Sequence, residues 1–464
     1  MTALDTRPET CPATATSAAT TAQPLLPVVG GDLSVPLVTG EWRRYVNLDY
    51  AASAPSLKSV AEHLNEVLPY YASVHRGAGY ASQVSTRLYE SARTTVAEFL
   101  NAREDDVVVF TRNTTDALNL LATCLPNDDG VVFLDIEHHA NLLPWQRVNH
   151  RCVLAGTTQN ATLIALRAEL HARKASLVAV TGASNVTGEL LPLQQIVEIA
   201  HAAGARVVLD AAQLAPHRRI DLEETGVDYV AFSGHKLYAP HGAGVLVGRR
   251  DWLDEAPAYL AGGGAVREVT VASTQWADAP QRHEGGTPNV LGAVALARAC
   301  TAIADLEEGA LEEHESALRD RLLDRLALLD HIKVHQIWRD SPDSIGVVAF
   351  SVDGYHPGFV AAYLSAEHGI GVRDGKFCAH PLLSRLGAND GAVRASFGAG
   401  STTADVDRLA DALDALLTRG PRWTYDTVEG RWAPSPDPRP TPEWLDDDAP
   451  VATGTAPCES EPAW

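Results

Sequence analysis

Lys236 is the residue whose position in this chain most directly suggests covalent chemistry. It follows a nearly continuous apolar run, residues 227–232 (VDYVAF), which is typical of a strand buried on both faces. Burial at the end of such a strand removes water from the amine and favours its neutral, nucleophilic form. That form can make a Schiff base with a carbonyl group. For Lys236 taken alone, a side chain that reaches from the strand end into water is the alternative.

Polar residues also follow four earlier apolar runs, which are residues 107–111 (VVVFT), 131–135 (VVFLD), 177–181 (LVAVT) and 206–210 (RVVLD). Between the last two, residues 192–203 have Pro at a helix start, and Gly204 follows the helix end. This alternation predicts βαβ units and a mainly parallel sheet flanked by helices. Ligands of such sheets bind beyond the carboxyl ends of the strands. The polar residues expected there are Thr114, Thr115, His138, Asn185, Asp210 and Lys236.

Each of these positions suggests one part of a binding site. Thr114 and Thr115 open a helical stretch, where hydroxyl and free N–H groups suit a phosphate, although an ordinary helix cap is the alternative. His138 could stack on a ring or transfer protons. The pair His138 and His139 could also bind a metal ion, but no third ligand follows at a regular spacing. Asp210 would need a cationic partner such as a protonated ring nitrogen, or else it caps a turn.

A phosphate site, a stacking histidine, a strand-end aspartate and a strand-end lysine together fit one cofactor, pyridoxal 5′-phosphate (PLP). The lysine would hold the aldehyde, and the aspartate would keep the pyridine nitrogen protonated. No metal is expected.

The composition is that of an ordinary globular protein, with 464 residues, 45% hydrophobic and 21% charged. A net charge of −22 argues against nucleic acid or a membrane surface as the main partner. The six cysteines are scattered without metal-ligand spacing, which fits a reducing cytoplasm.

The sequence divides into four parts. Residues 1–40, rich in Ala, Thr and Pro, are expected to be a flexible tail, and residues 41–299 a large cofactor-binding domain whose first part also joins the small domain. Residues 300–420 are expected to form a smaller α+β domain, with helices at 307–329, 358–368 and 404–417 and strands at 347–352 and 392–397. Residues 421–464 are expected to be a disordered Pro-, Trp- and acid-rich tail, unless Trp423, Trp432 or Trp444 docks onto the body.

The motifs between residues 45 and 417 resemble those of class V, fold-type I PLP enzymes. The closest resemblance is to the group II cysteine desulfurases, also called selenocysteine lyases. The motifs are LDYAASAP (48–55), VHRG (74–77), TRNTTDALNL (111–120), EHHANLLPWQ (137–146), SNVTG (184–188), LDAAQ (209–213), SGHKLYAPHGAG (233–244), GTPN (286–289) and VRAS (393–396).

The resemblance implies a fold-type I enzyme with a mainly parallel seven-stranded sheet, a smaller C-terminal domain and a homodimeric active site. It implies Lys236, His138 and Cys378 as the catalytic residues. The implied cofactor-binding residues are Thr114, Thr115, His138, Asn185, Asp210, Gln213, Ser233, His235, Lys236 and, from the other subunit, Thr287. The implied substrate-binding residues are Arg394, Arg373, Asn185 and His75.

The implied reaction removes sulfur or selenium from cysteine or selenocysteine, giving alanine and a persulfide on Cys378 for transfer to an acceptor protein. One loop departs from the family pattern, because Lys376 and Phe377 stand where two histidines are usual before the cysteine. An aminotransferase, an epimerase or another C–S lyase of the same class is therefore the alternative. A non-catalytic PLP-binding scaffold is disfavoured, since Lys236, Asp210, His138 and Arg394 are all present.

Overall fold

The computed structural model describes residues 22–126 and 129–445, so the predictions made for residues 1–21 and 446–464 lie outside the described residues. The strands are β1 (Ser34–Pro36), β2 (Trp42–Arg44), β3 (Val46–Asn47), β4 (Asp106–Thr111), β5 (Val131–Leu134), β6 (His150–Val153), β7 (Leu177–Thr181), β8 (Arg206–Asp210), β9 (Tyr229–Ser233), β10 (Gly244–Arg249), β11 (Val266–Val269), β12 (Thr274–Trp276), β13 (Ile332–Val334), β14 (Val347–Val352), β15 (Ile370–Gly371), β16 (Arg373–Gly375), β17 (Ala392–Ser396), β18 (Tyr425–Val428) and β19 (Arg431–Pro434). The α-helices are α1 (Lys58–Val67), α2 (Tyr80–Phe99), α3 (Thr114–Thr123), α4 (Gln159–Ala172), α5 (Leu193–Ala202), α6 (Leu222–Thr225), α7 (Arg250–Glu255), α8 (Val290–Ala304), α9 (Ala310–Leu326), α10 (Pro357–His368), α11 (His380–Arg385) and α12 (Thr403–Arg419).

The large domain is built on a seven-stranded sheet with the strand order β4-β10-β9-β8-β7-β5-β6. Strands β5 to β9 pair in parallel, and β10 is antiparallel to both of its neighbours. All residues of β7 and β9 are buried, because helices cover both faces of the sheet. This architecture confirms the predicted fold class. The predicted strands at 177–181 and 206–210 coincide with β7 and β8.

The small domain is an antiparallel four-stranded sheet, β13-β14-β17-β16, packed with helices α9, α10 and α12. Strand β14 coincides with the strand predicted at 347–352, whereas the helix predicted at 307–329 is shorter at both ends. The chain before the large domain contributes to this unit, because β3 pairs in parallel with β15. Val46 and Leu48 are accordingly buried in the core of the small domain.

The N-terminal prediction differs from the structure in residues 22–40, which pack on the body instead of forming a flexible tail. The Leu25 and Leu26 N–H groups both donate to the Ala399 carbonyl oxygen, at 2.7 and 3.0 Å. Strand β1 pairs with β2, and Leu37 is buried. The Pro-rich composition of this stretch favours disorder. Burial of its apolar side chains and pairing of its backbone groups stabilise the packed conformation instead.

The C-terminal prediction differs in residues 421–445, where β18 and β19 form a hairpin on helix α10. Trp432 lies edge-on to Phe359 with ring centroids 5.4 Å apart, and the Trp423 indole N–H donates to the Pro436 oxygen at 2.8 Å. Docking of Trp432 onto α10 therefore replaces the expected disorder in this stretch, whereas the Trp423 indole bonds within the stretch and Trp444 is exposed.

We expect Glu367→Ala to loosen this hairpin selectively. The buried Glu367 carboxylate accepts hydrogen bonds from the Arg422 N–H, the Trp423 N–H and the Tyr425 hydroxyl, at 2.9, 3.1 and 3.1 Å. Leaving these donors unpaired should cost about 1–3 kcal/mol locally, so amides of residues 422–434 should exchange hydrogen about tenfold faster or more. The matched control is Asp426→Ala, at an exposed position of β18. Equal exchange in the two variants would contradict this role of Glu367.

Candidate active site

A cavity of about 340 Å³ opens at the carboxyl edge of the large sheet, where the small domain meets it. This volume is within the range usual for small-molecule sites. Every predicted site residue except His75 and Thr287 lines it, namely Thr114, Thr115, His138, Asn185, Asp210, Gln213, Ser233, His235, Lys236, Arg373, Cys378 and Arg394. The fold therefore brings together the polar residues at the strand ends, as their positions in the sequence predict.

Lys236 lies just beyond β9, inside this cavity. Burial, with a smaller contribution from the nearby Arg394 guanidinium, lowers the pKa of its amine to about 8. Asp210, Cys378 and Asp49 act in the opposite direction, but desolvation is the largest effect. At neutral pH about a tenth of such amines is neutral, which is far more than for an ordinary lysine.

This shift predicts the pH dependence of lysine modification in the cofactor-free protein. Because the pKa is lowered, Lys236 stays protonated below about pH 8 and becomes reactive above it. We expect its rate of modification by fluorodinitrobenzene, followed by peptide mass spectrometry, to reach half its maximum near pH 8. The internal control is the same peptide in the unfolded chain, where the midpoint should move toward 10.5, the ordinary value. An unchanged midpoint on unfolding would argue against a desolvated amine.

Burial shifts the pKa values of His138 and Asp210 in opposite directions. The His138 Nδ1 accepts a hydrogen bond from the Ala140 N–H at 3.0 Å, which places the proton of the neutral ring on Nε2. Burial, with the charge of Lys236, lowers the pKa of His138 to about 3, so the ring is neutral and suited to stacking. Burial raises the pKa of Asp210, opposed by a hydrogen bond from the Ala212 N–H (2.9 Å) and by Lys236.

The start of α3 and the end of β9 form a polar cradle. Ser233 Oγ accepts a hydrogen bond from the Thr114 N–H at 2.7 Å and lies 2.6 Å from the Thr114 hydroxyl. Asn113 caps the helix by accepting from the Asp116 N–H. Gly244 permits this close packing, because a Cβ there would lie 2.6 Å from the Asn113 Cα. The N–H groups of a helix start, together with these hydroxyls, suit an anion.

Two amide side chains tie the cavity wall together. The Gln213 Nε2 group donates to the Ala51 carbonyl oxygen at 2.7 Å, while its buried Oε1 atom has no hydrogen-bond partner among the described residues. The Asn185 Nδ2 group donates to the Phe377 carbonyl oxygen at 2.8 Å. Asn185 therefore holds the loop that carries Cys378, a contact that sequence reasoning did not anticipate.

Arg394 is buried, and both of its terminal nitrogens are engaged. They donate to the Asn185 carbonyl oxygen at 2.7 Å and to Asp49 Oδ1 at 3.1 Å, and the guanidinium carbon lies 5.0 Å from the Phe377 ring centre. Burial lowers the pKa of Arg394, and the charge of Asp49 opposes that effect. Asp49 and Phe377 were not predicted as site residues; for Asp49 the signal was the quoted LDYAASAP motif, which contains it.

The loop carrying Cys378 closes the cavity from the side of the small domain. Phe377 and Cys378 both have φ of +52°, a left-handed conformation that costs non-glycine residues roughly 1–3 kcal/mol each. The Cys378 carbonyl oxygen accepts from the His139 N–H at 2.9 Å, and the rings of His139 and His380 meet edge-on with centroids 4.7 Å apart. His139 thus holds the loop in place through its N–H group and its ring.

His75 and Thr287 lie apart from the other predicted residues. They line a second cavity of about 340 Å³ that shares no lining residue with the first. His75 Nε2 lies 2.7 Å from Glu90 Oε1. The sequence prediction placed His75 among the substrate-binding residues. Within one chain, however, His75 does not line the Lys236 cavity.

A mainly parallel sheet that presents a lysine, an aspartate and a histidine at its carboxyl edge is the arrangement of fold-type I PLP enzymes. The profile of the family described as aminotransferase class-V matches residues 46–409. The chain belongs to this family of enzymes, whose members use PLP. Among the described residues, no group of three or more His, Cys, Asp or Glu side chains could hold a metal ion. No helix in that part of the chain is both long and apolar enough to cross a membrane.

The chain is similar to proteins named as cysteine desulfurases. It is 36% identical to a probable cysteine desulfurase of Halalkalibacterium halodurans over 385 residues, covering 80% of this chain and 92% of the relative. It is 36% identical to the cysteine desulfurase CsdA of Escherichia coli over 383 residues, covering 80% and 94%. A crystal structure of CsdA from Escherichia coli matches with a TM-score of 0.72 at 34% identity, and an apo cysteine desulfurase from Thermococcus onnurineus with 0.74 at 34%; each match covers 80% of this chain and 94% of the other.

Proposed function

We propose that this chain is a PLP-dependent cysteine desulfurase, which removes sulfur from L-cysteine, or selenium from selenocysteine, and leaves alanine. The observation that carries the proposal is that one cavity holds both Lys236 and Cys378. An amine with a lowered pKa and a thiol are the two groups that this reaction requires. The cysteine desulfurases that resemble this chain over most of its length support the same reaction.

The residues of the cavity fit PLP. The buried Gln213 Oε1, which lacks a partner among the described residues, is an acceptor for a polar group of the ring. We assign the phosphate to Thr114, Thr115, Ser233 and His235, and the ring to His138 and Asp210. When bound, PLP supplies an aldehyde for an amino group and a sink for the electrons of the substrate α-carbon.

The protein residues would then divide the work. Lys236 would hold the cofactor, and its amine would take the substrate α-proton, since its lowered pKa makes the neutral amine available. Arg394 keeps N–H donors beyond the two in use, and with Arg373 at the cavity rim it would bind the substrate carboxylate. Asn185 would position the substrate and the loop together. Cys378 would take up the sulfur as a persulfide.

We propose that Thr287 and His75 act in the active site of a second copy of the chain. Their shared cavity is separate from the Lys236 cavity, so we assign them to the Lys236 site of the other subunit in a homodimer. The final sulfur acceptor would be a protein thiol. The scattered cysteines support a cytoplasmic, reducing setting.

Another class V reaction is the second candidate, because Lys376 and Phe377 replace the histidines of the family pattern in the Cys378 loop. The relatives named as cysteine desulfurases do not favour this candidate, which would be an aminotransferase, an epimerase or a different C–S lyase.

Product analysis separates the two candidates. Purified protein reconstituted with PLP is given L-cysteine and a thiol reductant, and alanine, sulfide and pyruvate are quantified. Equal amounts of alanine and sulfide would support the desulfurase. Pyruvate with sulfide would indicate a different lyase, and no turnover of L-cysteine, despite bound PLP, would overturn the proposal.

A further inference from the structure

Phe377 is the residue of the Cys378 loop whose side chain lies against the Arg394 guanidinium. Its ring is buried and lines the Lys236 cavity. The guanidinium carbon lies 5.0 Å from the ring centre, within the range in which an aromatic face attracts a cation. The proposed reaction assigns no role to this ring, which stands where the family pattern has a histidine.

Phe377, Asn185 and Arg394 form a closed cycle of contacts. The Phe377 carbonyl oxygen accepts from the Asn185 Nδ2 group at 2.8 Å, and the Asn185 carbonyl oxygen accepts from Arg394 Nη1 at 2.7 Å. The contact between the guanidinium and the ring completes the cycle. All three residues are buried, so water weakens these contacts little. Reorientation of any one of the three would therefore disturb the other two.

The backbone of the loop depends on this cycle. Phe377 has a left-handed φ of +52°, which is unfavourable for a residue with a Cβ and persists only where the surroundings fix it. Asn185 fixes its carbonyl group, and Arg394 contacts its ring. Cys378 follows directly with the same φ, so the placement of its backbone depends in part on the same contacts.

Arg394 also retains a buried donor for a substrate. Its Nε–H group has no hydrogen-bond partner among the described residues, whereas its two terminal nitrogens donate to Asn185 and Asp49. A ring against the guanidinium holds the plane of that group and keeps water from one face. Both effects strengthen the binding of a carboxylate by the remaining donors.

We propose that Phe377 is a positioning residue, which holds the Arg394 guanidinium for the α-carboxylate of the substrate and links that carboxylate to the placement of the Cys378 loop. This inference rests on the proposed function, which assigns the α-carboxylate to Arg394. Because the two effects are linked, a bound carboxylate and an ordered loop stabilise each other. The ring thereby favours substrates with a carboxylate on the α-carbon over neutral analogues.

Two probes that differ only in charge test this role. β-Mercaptopropionate carries a carboxylate, β-mercaptopropionamide carries a neutral amide, and neither has an amino group that could react with PLP. Calorimetric titration of the PLP-loaded protein gives the dissociation constant of each. In Phe377→Leu, which keeps an apolar side chain without the ring, we expect the carboxylate to bind about five- to tenfold more weakly, as the loss of a cation–ring contact implies. Binding of the amide should not change.

Two variants and one further measurement complete the test. Phe377→Tyr keeps the aromatic face and should bind the carboxylate as the natural sequence does. Phe359→Leu is the matched control, because Phe359 belongs to α10 and does not line the cavity. Hydrogen exchange at residues 376–379 reports on the loop. The carboxylate should slow this exchange more than the amide does in the natural sequence, and this difference should vanish in Phe377→Leu.

The outcomes separate this inference from the proposed function. Equal weakening of both probes in Phe377→Leu would show a general loosening of the cavity and overturn the inference. Unchanged carboxylate binding in Phe377→Leu, or a Phe377→Tyr variant that binds it as weakly as Phe377→Leu, would do the same. In the natural sequence, equal protection of residues 376–379 by both probes would overturn the link to the loop, whether or not the variants fold.

The proposed function is tested separately, since these readouts need no turnover. Absence of alanine from L-cysteine would overturn the desulfurase, while the two probes would still decide the role of Phe377. Equal binding of both probes to the natural sequence would overturn the assignment of the carboxylate to Arg394 and, with it, the inference.

Discussion

Lys236→Ala is expected to abolish the formation of alanine from L-cysteine, with a loss of about 10³-fold or more. The amine has two roles in the proposed reaction, since it holds the cofactor covalently and takes the substrate α-proton. The remaining contacts at Thr114 and Ser233 should still retain some PLP without a covalent bond. The measurement is the rate of alanine formation, combined with the visible absorbance of the bound cofactor.

The control for this variant is Lys333→Ala, which removes an exposed lysine of β13. It should retain full activity and the absorbance of lysine-bound PLP. Thermal unfolding of both cofactor-free variants shows whether any loss of activity reflects a loss of fold. Alanine formation in folded Lys236→Ala at the rate of the natural sequence would contradict the assignment of Lys236.

Cys378→Ala is expected to reduce alanine formation about 10²-fold or more while leaving the cofactor absorbance unchanged. Only the sulfur-accepting thiol is lost, whereas Lys236, Asp210 and His138 remain. A change of absorbance on adding L-cysteine should therefore persist without turnover. The alanine side chain also relieves none of the left-handed backbone strain, because it too carries a Cβ.

Cys152→Ala is the matched control, because Cys152 is exposed on β6 and does not line the cavity. It should turn over L-cysteine as the natural sequence does. If Cys378→Ala forms alanine and sulfide as fast as this control, the sulfur leaves without an enzyme thiol, and the chain is a different kind of C–S lyase.

The two variants together separate cofactor binding from turnover. Lys236→Ala should remove both the covalent cofactor and turnover, and Cys378→Ala only turnover. This division follows from geometry, since the lysine lies beyond a strand of the large domain and the cysteine lies in a loop of the small domain.

The sequence by itself determined the large sheet and the residues at its carboxyl edge. Apolar runs such as β7 and β8 are buried on both faces, so their pattern is local and strong. Lys236 and Asp210 could be placed at the edge because strand ends in a parallel sheet meet on one side. Strands β6 and β10 of this sheet were missed. In β10, Gly244 and Gly248 near the two ends weaken the strand signal, and the pairing with β4 and β9 specifies it.

Only the tertiary structure decided which distant segments meet. The ion pair of Arg394 with Asp49 joins residues far apart in the chain, as do the bond from Asn185 to the Cys378 loop and the packing of residues 22–40 on the body. Composition alone favoured disorder for residues 421–445, yet the buried Glu367 accepts hydrogen bonds from the backbone N–H groups of Arg422 and Trp423. Such contacts depend on where a folded surface offers a partner, and that information is absent from local patterns of polarity.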